Sequence, residues 1–421
     1  MYRLSYKILI QNGSVCSLVL NDLTKEIMMK ITSIDLIAIE SILGESFCPV
    51  FTRIHTDEGI SGIGEAGMAI LNGSKAVFGM LKDYAPLLIG KNPLDHSVIW
   101  ENLFRDTFWA MSNGPVVMSS ISALDTALWD IKAKALGVPL YQALGGKYRD
   151  KIHAYASQLH FNWGGQDFDR IGSLDAYRES ALRAKEQGYD AVKVNFLAMD
   201  EQGRTNPNAS LKNTLSPQML RTAEERIRVV REVMGPDALI VAENNGNTDV
   251  TTAIQFAQMA EPYGILYLEE PCMPLSAANY QRIASSTTIP IAAGERIFTR
   301  WGFRPFLEQG AISVAQPDIG NCGGVTEFMR IAAMCQVYDV SVQSHACNSP
   351  ISVAVALHLE AAVPNFIIHE HHITNTFDKI RKMGIYDYQP VNSYIDVPNL
   401  PGIGQDLSDF AMSHATVYTI S

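Results

Sequence analysis

The chain has 421 residues, 47% of them hydrophobic and 18% charged, enough apolar material for one large domain plus a smaller one, which excludes a disordered polypeptide. Its formal net charge of −11 excludes a general nucleic-acid surface, because nothing here would neutralise a phosphate backbone. Six cysteines (Cys16, Cys48, Cys272, Cys322, Cys335 and Cys347) show no CxxC spacing and no Cys/His metal pattern; with no run of roughly 20 apolar residues and no signal-peptide pattern, reduced thiols in a cytoplasmic protein are expected.

Residues 1–28 lack pattern continuity with the strand-like KITSIDLIAIE that begins at Lys30, and read as an N-terminal extension. From about 30 to 67 the alternating runs KITSIDLIAIE and VFTRIHTDEG, closed by DEGISGIGEAG, predict an antiparallel meander. From 74 to 145 the spacing becomes helical, with Ile121, Leu124, Ala127, Leu128 and Ile131 on one apolar face. Residues 29–150 are therefore expected to form an α+β capping domain.

Beyond about 150 come eight short, apolar, β-branched runs separated by helical stretches: HAYAS, AVKV, LIVA, ILYL, IPIAA, ISVAQ, VSVQ and FIIH. Buried strands alternating with helices imply a parallel sheet, and eight strands close a barrel. The expected fold is α/β, a (β/α)8 barrel over residues 151–390, with 391–421 returning to the capping domain. A 50-residue gap between Lys193 and Glu243 holds the polar stretch AMDEQGRTNPNASLKNTLSP, a candidate lid or oligomer contact.

A polar residue follows nearly every apolar run: Gln158, Lys193, Glu243, Glu269, Glu295, Asp318, His345 and Glu370. From Glu243 onward the intervals are 26, 26, 23, 27 and 25 residues, close to one βα unit each. Barrel strands present their C-terminal ends to the active-site face, so Glu243, Glu269 and Glu295 are expected to converge on one point. A single strand-end acid commonly caps a helix or pairs with a lysine. Three at equal spacing, with no thiolate or imidazole, suit a hard cation such as Mg²⁺.

The segments LEEP (268–271), AAGER (292–296), QPDIGNCGG (316–324) and SHACNSP (344–350), with TDEGISGIGEAG and SALDTALWDIKAKALGVPLYQALGG (122–146), resemble the mandelate racemase group of the enolase superfamily over about residues 30–400. The resemblance implies that family's modified (β/α)7β barrel. It also implies Glu243, Glu269 and Glu295 as ligands of one Mg²⁺, although an aspartate is usual where this chain has Glu243, and Asn245 is placed to share the task. It further implies a His345–Asp318 dyad: the carboxylate fixes the imidazole tautomer and raises its basicity, leaving the other nitrogen to take the proton α to a substrate carboxylate.

Racemising relatives carry Lys-x-Lys at the second strand, where this chain has Lys193-Val194-Asn195. Asparagine cannot take a proton, so dehydration of an aldonic or aldaric acid to a 2-keto-3-deoxy acid is the expected reaction, with Lys193 as electrostatic partner. Related dehydratases often place a histidine where Asn245 stands, which leaves the acid for the departing hydroxyl open between His345 and Lys193. Glu370 matches an acid that supports the enediolate when protonated, as a buried, like-charged setting would favour. His369, His371 and His372 look like a metal run, but alternation points some of them away.

Pocket-wall and substrate-binding candidates are Asn195, Asn245, His160, Arg296, Trp109 and Trp163, with the loops around 41–50 and 68–75. The expected partners are a small carboxylate substrate and further copies of the chain, from dimer to octamer, with no nucleic acid or membrane. Two alternatives stay open: a racemase or epimerase of a hydroxy acid, and a non-catalytic ligand-binding or regulatory member.

Overall fold

The computed structural model describes residues 29–421 except 41, 43–46 and 71; the expected extension 1–28 and part of the 41–50 and 68–75 loops lie outside the described residues. The chain first forms an antiparallel sheet of β1 (Ile31–Ile39), β2 (Val50–Thr56) and β3 (Ser61–Ala66), followed by α1 (Ser74–Tyr84), α2 (His96–Arg105) and α3 (Pro115–Leu136). Helix α3 starts on Pro115 and ends at Gly137 in the left-handed region, the usual asymmetry of helix ends. Its face Ile121, Leu124, Ala127, Leu128 and Ile131 is buried against the sheet. Gly64 makes that contact possible, because a Cβ there would lie 2.1 Å from the carbonyl oxygen of Ala123.

Eight parallel strands then alternate with seven helices: β4 (Lys151–Ser157), α4 (Leu174–Glu186), β5 (Ala191–Val194), α5 (Pro217–Met234), β6 (Leu239–Glu243), α6 (Val250–Ala260), β7 (Ile265–Glu269), α7 (Ala277–Ala284), β8 (Ile291–Ala293), α8 (Thr299–Glu308), β9 (Val314–Ala315), α9 (Gly324–Val337), β10 (Ser341–Val342), α10 (Pro350–Ala362) and β11 (His369–His372). The last strand pairs with the first, and Val342 bridges Phe366 in parallel, bringing the remaining edge round. Side-chain caps start several of the helices, from Ser173, Ser216, Ser276 and Ser349, with a capping box between Asp249 and Thr252. The eighth strand falls on HEHH, later than the expected FIIH, whose Ile367 instead donates its N–H to Val342. Strand β12 (Tyr394–Asp396) lies antiparallel to β4, and β13 (Ala415–Ile420) joins β1 at the edge of the first sheet.

Alternation decides what enters the barrel. Tyr155, Ala191, Val241, Tyr267, Ala292, Val314 and Ile368 pack together inside it. Two residues further along these strands stand Ser157, Lys193, Glu243, Glu269, Gln316 and Glu370, so the same parity carries polar groups to the C-terminal mouth. Glu295 breaks this parity. It follows Ala292 by three residues, beyond the end of β8.

The stretch 196–206 is held by Arg226 of α5, whose guanidinium donates to the carbonyls of Phe196 (3.0 Å), Met199 (2.8 Å), Gly172 (2.7 Å) and Asp200 (3.1 Å). Arg226 is only 1% exposed, so the insertion is pinned from beneath by a buried cation. Arg226→Met is expected to destabilise the protein by about 2–4 kcal/mol, since charged hydrogen bonds to buried carbonyls are lost together. Amide exchange should accelerate first in residues 196–206; uniform protection there would contradict the clasp.

The first sheet is stitched to the barrel by buried acids. Glu65 of β3 accepts from the N–H of Ser349 (3.0 Å), the Ser349 hydroxyl (2.7 Å) and the N–H of Ser352 (3.2 Å) at the start of α10. Asp125 of α3 accepts from Thr326 N–H (2.8 Å) and Oγ1 (2.6 Å) in α9. Burial outweighs these bonds and pushes Glu65 and Asp125 each up to about 7. A raised carboxyl keeps its proton in the folded state after the unfolded chain has released it, so stability falls as pH rises from the unfolded values through about 7. The urea midpoint should therefore decline between about pH 5 and pH 7.5, and Glu65→Gln with Asp125→Asn should flatten that slope. A midpoint that rises over this window in the parent, or an unchanged slope in the double variant, would contradict the assignment.

Candidate active site

Lys193, at the mouth of β5, is surrounded by carboxylates: its Nζ lies 2.6 Å from Glu370 Oε1, 2.8 Å from Glu269 Oε1 and 3.2 Å from Glu243 Oε2. Burial alone would lower its pKa, but Glu269, Glu370 and Glu243 together hold it well above the usual lysine range. Lys193 is thus a fixed ammonium and not a free base. Glu269 also accepts from Gln316 Nε2 (2.7 Å), and Glu243 Oε1 accepts the N–H of Asn245 (2.8 Å).

Glu370 corrects one expectation. Burial would raise its pKa, yet Lys193 at 2.6 Å, then His345, pull it below the usual carboxylate range, so it is ionised and not protonated. Its oxygens also accept from Ser157 Oγ (2.6 Å) and the N–H of Ala346 (3.1 Å).

His345 and Asp318 meet as a dyad, with Nδ1 to Oδ2 at 2.6 Å. Asp318 is itself oriented by the N–H of Gly320 (2.7 Å). The second ring nitrogen, expected to be free, lies 3.0 Å from Glu295 Oε2 and 3.9 Å from Glu370 Oε2. Against burial, contacts with Cys347, Glu295 and Asp318 raise the imidazole pKa well above its ordinary value.

Glu243, Glu269 and Glu295 therefore do not close on one point. Lys193 stands between the first two, and Glu295, off the strand parity, turns to His345. Among the described residues no group of three His, Cys, Asp or Glu side chains forms a finished metal geometry. The donor set nonetheless fits a hard divalent ion. Glu243 Oε2 is buried and makes no hydrogen bond, its ion-pair partner being the Lys193 ammonium at 3.2 Å. Burial and then the charge of Glu269 force the Glu243 pKa well up. Six acids, Glu243, Glu269, Glu270, Glu295, Asp318 and Glu370, surround Lys193, Arg296 and the His345 imidazole, so acids outnumber cations even with the imidazole charged and with Glu243 and Glu270 driven toward their protonated forms. An anionic substrate would be repelled unless further positive charge entered.

Glu270 was not anticipated, although it adjoins Glu269 in LEEP. It is buried, raised in pKa by burial and by Glu295, and paired with Arg296 through Nε (3.1 Å) and Nη2. Arg296 also donates to the carbonyl of Asn245 (2.8 Å). Asn195 spends its side chain inside the protein, donating to Asn245 Oδ1 (2.8 Å) and accepting from Leu197 N–H (3.1 Å). Trp163 is packing, with Nε1 on Gln187 (2.8 Å) and its ring edge-on to Tyr189. Of the histidine run, His369 turns outward to Glu360 and His371 to Tyr189, while His372 shares the inward parity of Glu370.

A cavity of about 380 Å³ lies between the two parts of the chain, within the range of small-molecule sites. Met68, Ala69, Ile70 and Pro115 wall it from the capping side, and Glu295, Arg296, Asp318, His345, Cys347 and Asn348 from the barrel. Trp109 is not one of its walls: it is 73% exposed, edge-on to the equally exposed Phe108. Among the described residues no helix is long and apolar enough to cross a membrane.

A capped parallel barrel with strand-end acids and a His–Asp dyad defines an enolase-type fold. Residues 33–145 match the mandelate racemase / muconate lactonizing enzyme N-terminal domain and 176–411 the enolase C-terminal domain-like family, and the chain belongs to this family. It is 34% identical over 365 residues to D-galactonate dehydratase of Pectobacterium atrosepticum, covering 86% of this chain and 89% of that one. It is 32% identical over 367 residues, with the same coverage, to the D-galactonate dehydratase of Ralstonia pickettii. A solved member of the enolase superfamily from Salmonella Typhimurium superposes with a TM-score of 0.90 at 47% identity, over 93% of this chain and 100% of that one.

Proposed function

We infer that the chain is an acid-sugar dehydratase, a hydro-lyase that removes the proton α to the carboxylate of an aldonic or aldaric acid and expels the β-hydroxyl to give a 2-keto-3-deoxy acid. The observation that carries this reading is a single His345–Asp318 base, with Lys193 locked among three carboxylates and unable to serve as a second base on the other face. The relatives named as D-galactonate dehydratases make D-galactonate the first substrate to test.

Glu243, Glu269 and Glu295 would hold Mg²⁺, which when bound supplies the positive charge that steadies the enediolate. The remaining roles fall to the chain. Asp318 holds the proton on Nδ1 of His345, so that Nε2, once released from Glu295, accepts the α-proton. Lys193 and ionised Glu370 fix the charge balance beside it. The same Nε2 can return its proton to the departing hydroxyl in a syn elimination.

Incubation with a panel of aldonic and aldaric acids should yield 2-keto-3-deoxy product with Mg²⁺ and none in excess EDTA. Glu269→Gln should weaken Mg²⁺ binding by calorimetry, because it removes a charged hard ligand. Solvent deuterium entering the α-position without keto-acid formation would favour the racemase reading; undiminished turnover in EDTA would remove the metal.

A further inference from the structure

The cavity at the site has two unlike sides. Asp318, Asn321, His345 and Asn348 line it from the barrel, beside Glu295 and Arg296, whereas the facing walls are Met68, Ala69, Ile70 and Pro115, with Phe298 ahead of α8. The sequence candidate His160 is not a wall; its Nδ1 accepts the N–H of Asn195 (3.2 Å). The apolar side is held in place. The carbonyl of Ala69 accepts the N–H of Cys48 (2.7 Å), Ile70 bridges Phe47 in antiparallel register, and Met68 stands at φ 67°, in the left-handed region. Met68 and Phe298 rest on the apolar core of the first sheet and its helices, and Ile70 on the core that runs into the barrel, so each meets the cavity from a packed base.

Position along the cavity fixes what each side meets. The reacting carbon must lie at His345, so the carboxylate and the first carbons of the acid occupy the barrel end and the remainder of its chain points at the apolar walls. A terminal carboxylate there would need a cation. Arg296, the cation that lines this cavity, is already engaged, by Glu270 through Nε (3.1 Å) and Nη2, by Glu295 (3.5 Å) and by the carbonyl of Asn245 (2.8 Å). A terminal hydroxyl would give up water for the side chains of methionine, alanine, isoleucine, proline and phenylalanine, and an unpaired buried hydroxyl costs free energy. A terminal methyl gains by the same transfer.

We propose that the substrate is an aldonic acid with a methyl terminus, of the 6-deoxyhexonate class, in preference to the corresponding hydroxymethyl acid or dicarboxylate. This deepens the dehydratase reading and rests on it. Chemistry at the barrel end is unchanged, because the acidic hydrogen and the leaving hydroxyl lie on the two carbons next to the carboxylate.

The test uses the full chain with Mg²⁺ and matched sets of acids of one configuration that differ only at the terminal carbon, beginning with D-galactonate, 6-deoxy-D-galactonate and galactarate. The 6-deoxy acid should exceed the hydroxymethyl acid by about 10–100-fold in kcat/KM, the scale on which an apolar pocket turns away an added hydroxyl. Galactarate should fall lower still, because its second carboxylate would be buried without a counter-ion. Ile70→Thr, which puts a hydroxyl into the wall while keeping the β-branch, should shrink the ratio several-fold, and Ile70→Val should preserve it. Each ratio is taken within one protein, so a loss of folded enzyme cancels. In the His345→Asn protein, calorimetry should rank the affinities in the same order without turnover. A ratio of one or less, an equal use of galactarate, or a ratio unmoved by Ile70→Thr overturns the methyl terminus while leaving the dehydratase intact. If no member of any set loses water, the dehydratase reading fails and the methyl terminus with it.

Discussion

His345→Asn is expected to lower both elimination and α-proton exchange in D₂O by on the order of 10²–10⁴-fold or more, the usual cost of losing a lone general base. The dyad is oriented from behind: Asp318 binds Nδ1 at 2.6 Å and is itself fixed by Gly320 N–H at 2.7 Å. Asparagine in place of the histidine keeps a polar group and removes the proton acceptor. Asp318→Asn should also be damaging, but by a different route, because the ring loses its tautomer and basicity while the acceptor atom remains. Measuring exchange separately from product formation distinguishes a lost base from a lost leaving-group acid. If His345→Asn exchanges at near the parental rate while Lys193→Met does not, the lysine is the base and the reacting face is reversed.

Lys193→Met should cost about 3–5 kcal/mol of stability, read from the denaturant midpoint, because breaking a buried ion pair by deleting one partner leaves uncompensated charge. Here the one ammonium faces Glu243, Glu269 and Glu370, all buried with it, so methionine leaves three acids without their cation. Added Mg²⁺ should raise the variant's midpoint more than the parent's, by binding only the folded state. A midpoint equal to that of the parent in EDTA would mean that the carboxylates have another source of neutralisation.

The barrel was legible because its repeat is a property of Cα positions. One βα unit of about 25 residues brings each strand end back to the same rim, so Lys193, Glu243, Glu269, Asp318, His345 and Glu370 could be gathered from spacing and resemblance together. Partner choice was not legible. Glu295 lies beyond the end of its strand, and whether it faces Glu269 or His345 depends on side-chain torsions that spacing does not fix. The ionised state of Glu370 depends on a lysine six strands earlier in sequence, brought within two strands of it only when the barrel closes. Strict alternation from Ile368 did contain the split of the histidine run, with His372 inward and His369 and His371 outward, once the strand was placed on HEHH and not on FIIH. Trp109 was chosen for its chemistry, with no pattern to show that its short helical turn leaves the ring in solvent.

The seam between sheet and barrel ties the shape of the cavity to the position of the dyad. Gly67 N–H donates to the carbonyl of Gly320 at 2.9 Å, and a Cβ on Gly320 would come within 2.8 Å of the Gly67 nitrogen. That contact lies two residues from Asp318 on one side and immediately before Met68, Ala69 and Ile70 on the other. The chain thus delivers one wall of the cavity from a segment anchored beside the dyad that carries no proton-transferring group. Ala69 and Ile70 change the shape of the cavity without touching the barrel's charged groups, and Met68, at φ 67°, is held in the left-handed region, whereas a side chain at Gly320 would force the seam apart and disturb wall and base together. The shape of the cavity and the alignment of the dyad are thus separable along this segment, the first set by the side chains of Ala69 and Ile70 and the second by the glycine contact that precedes them.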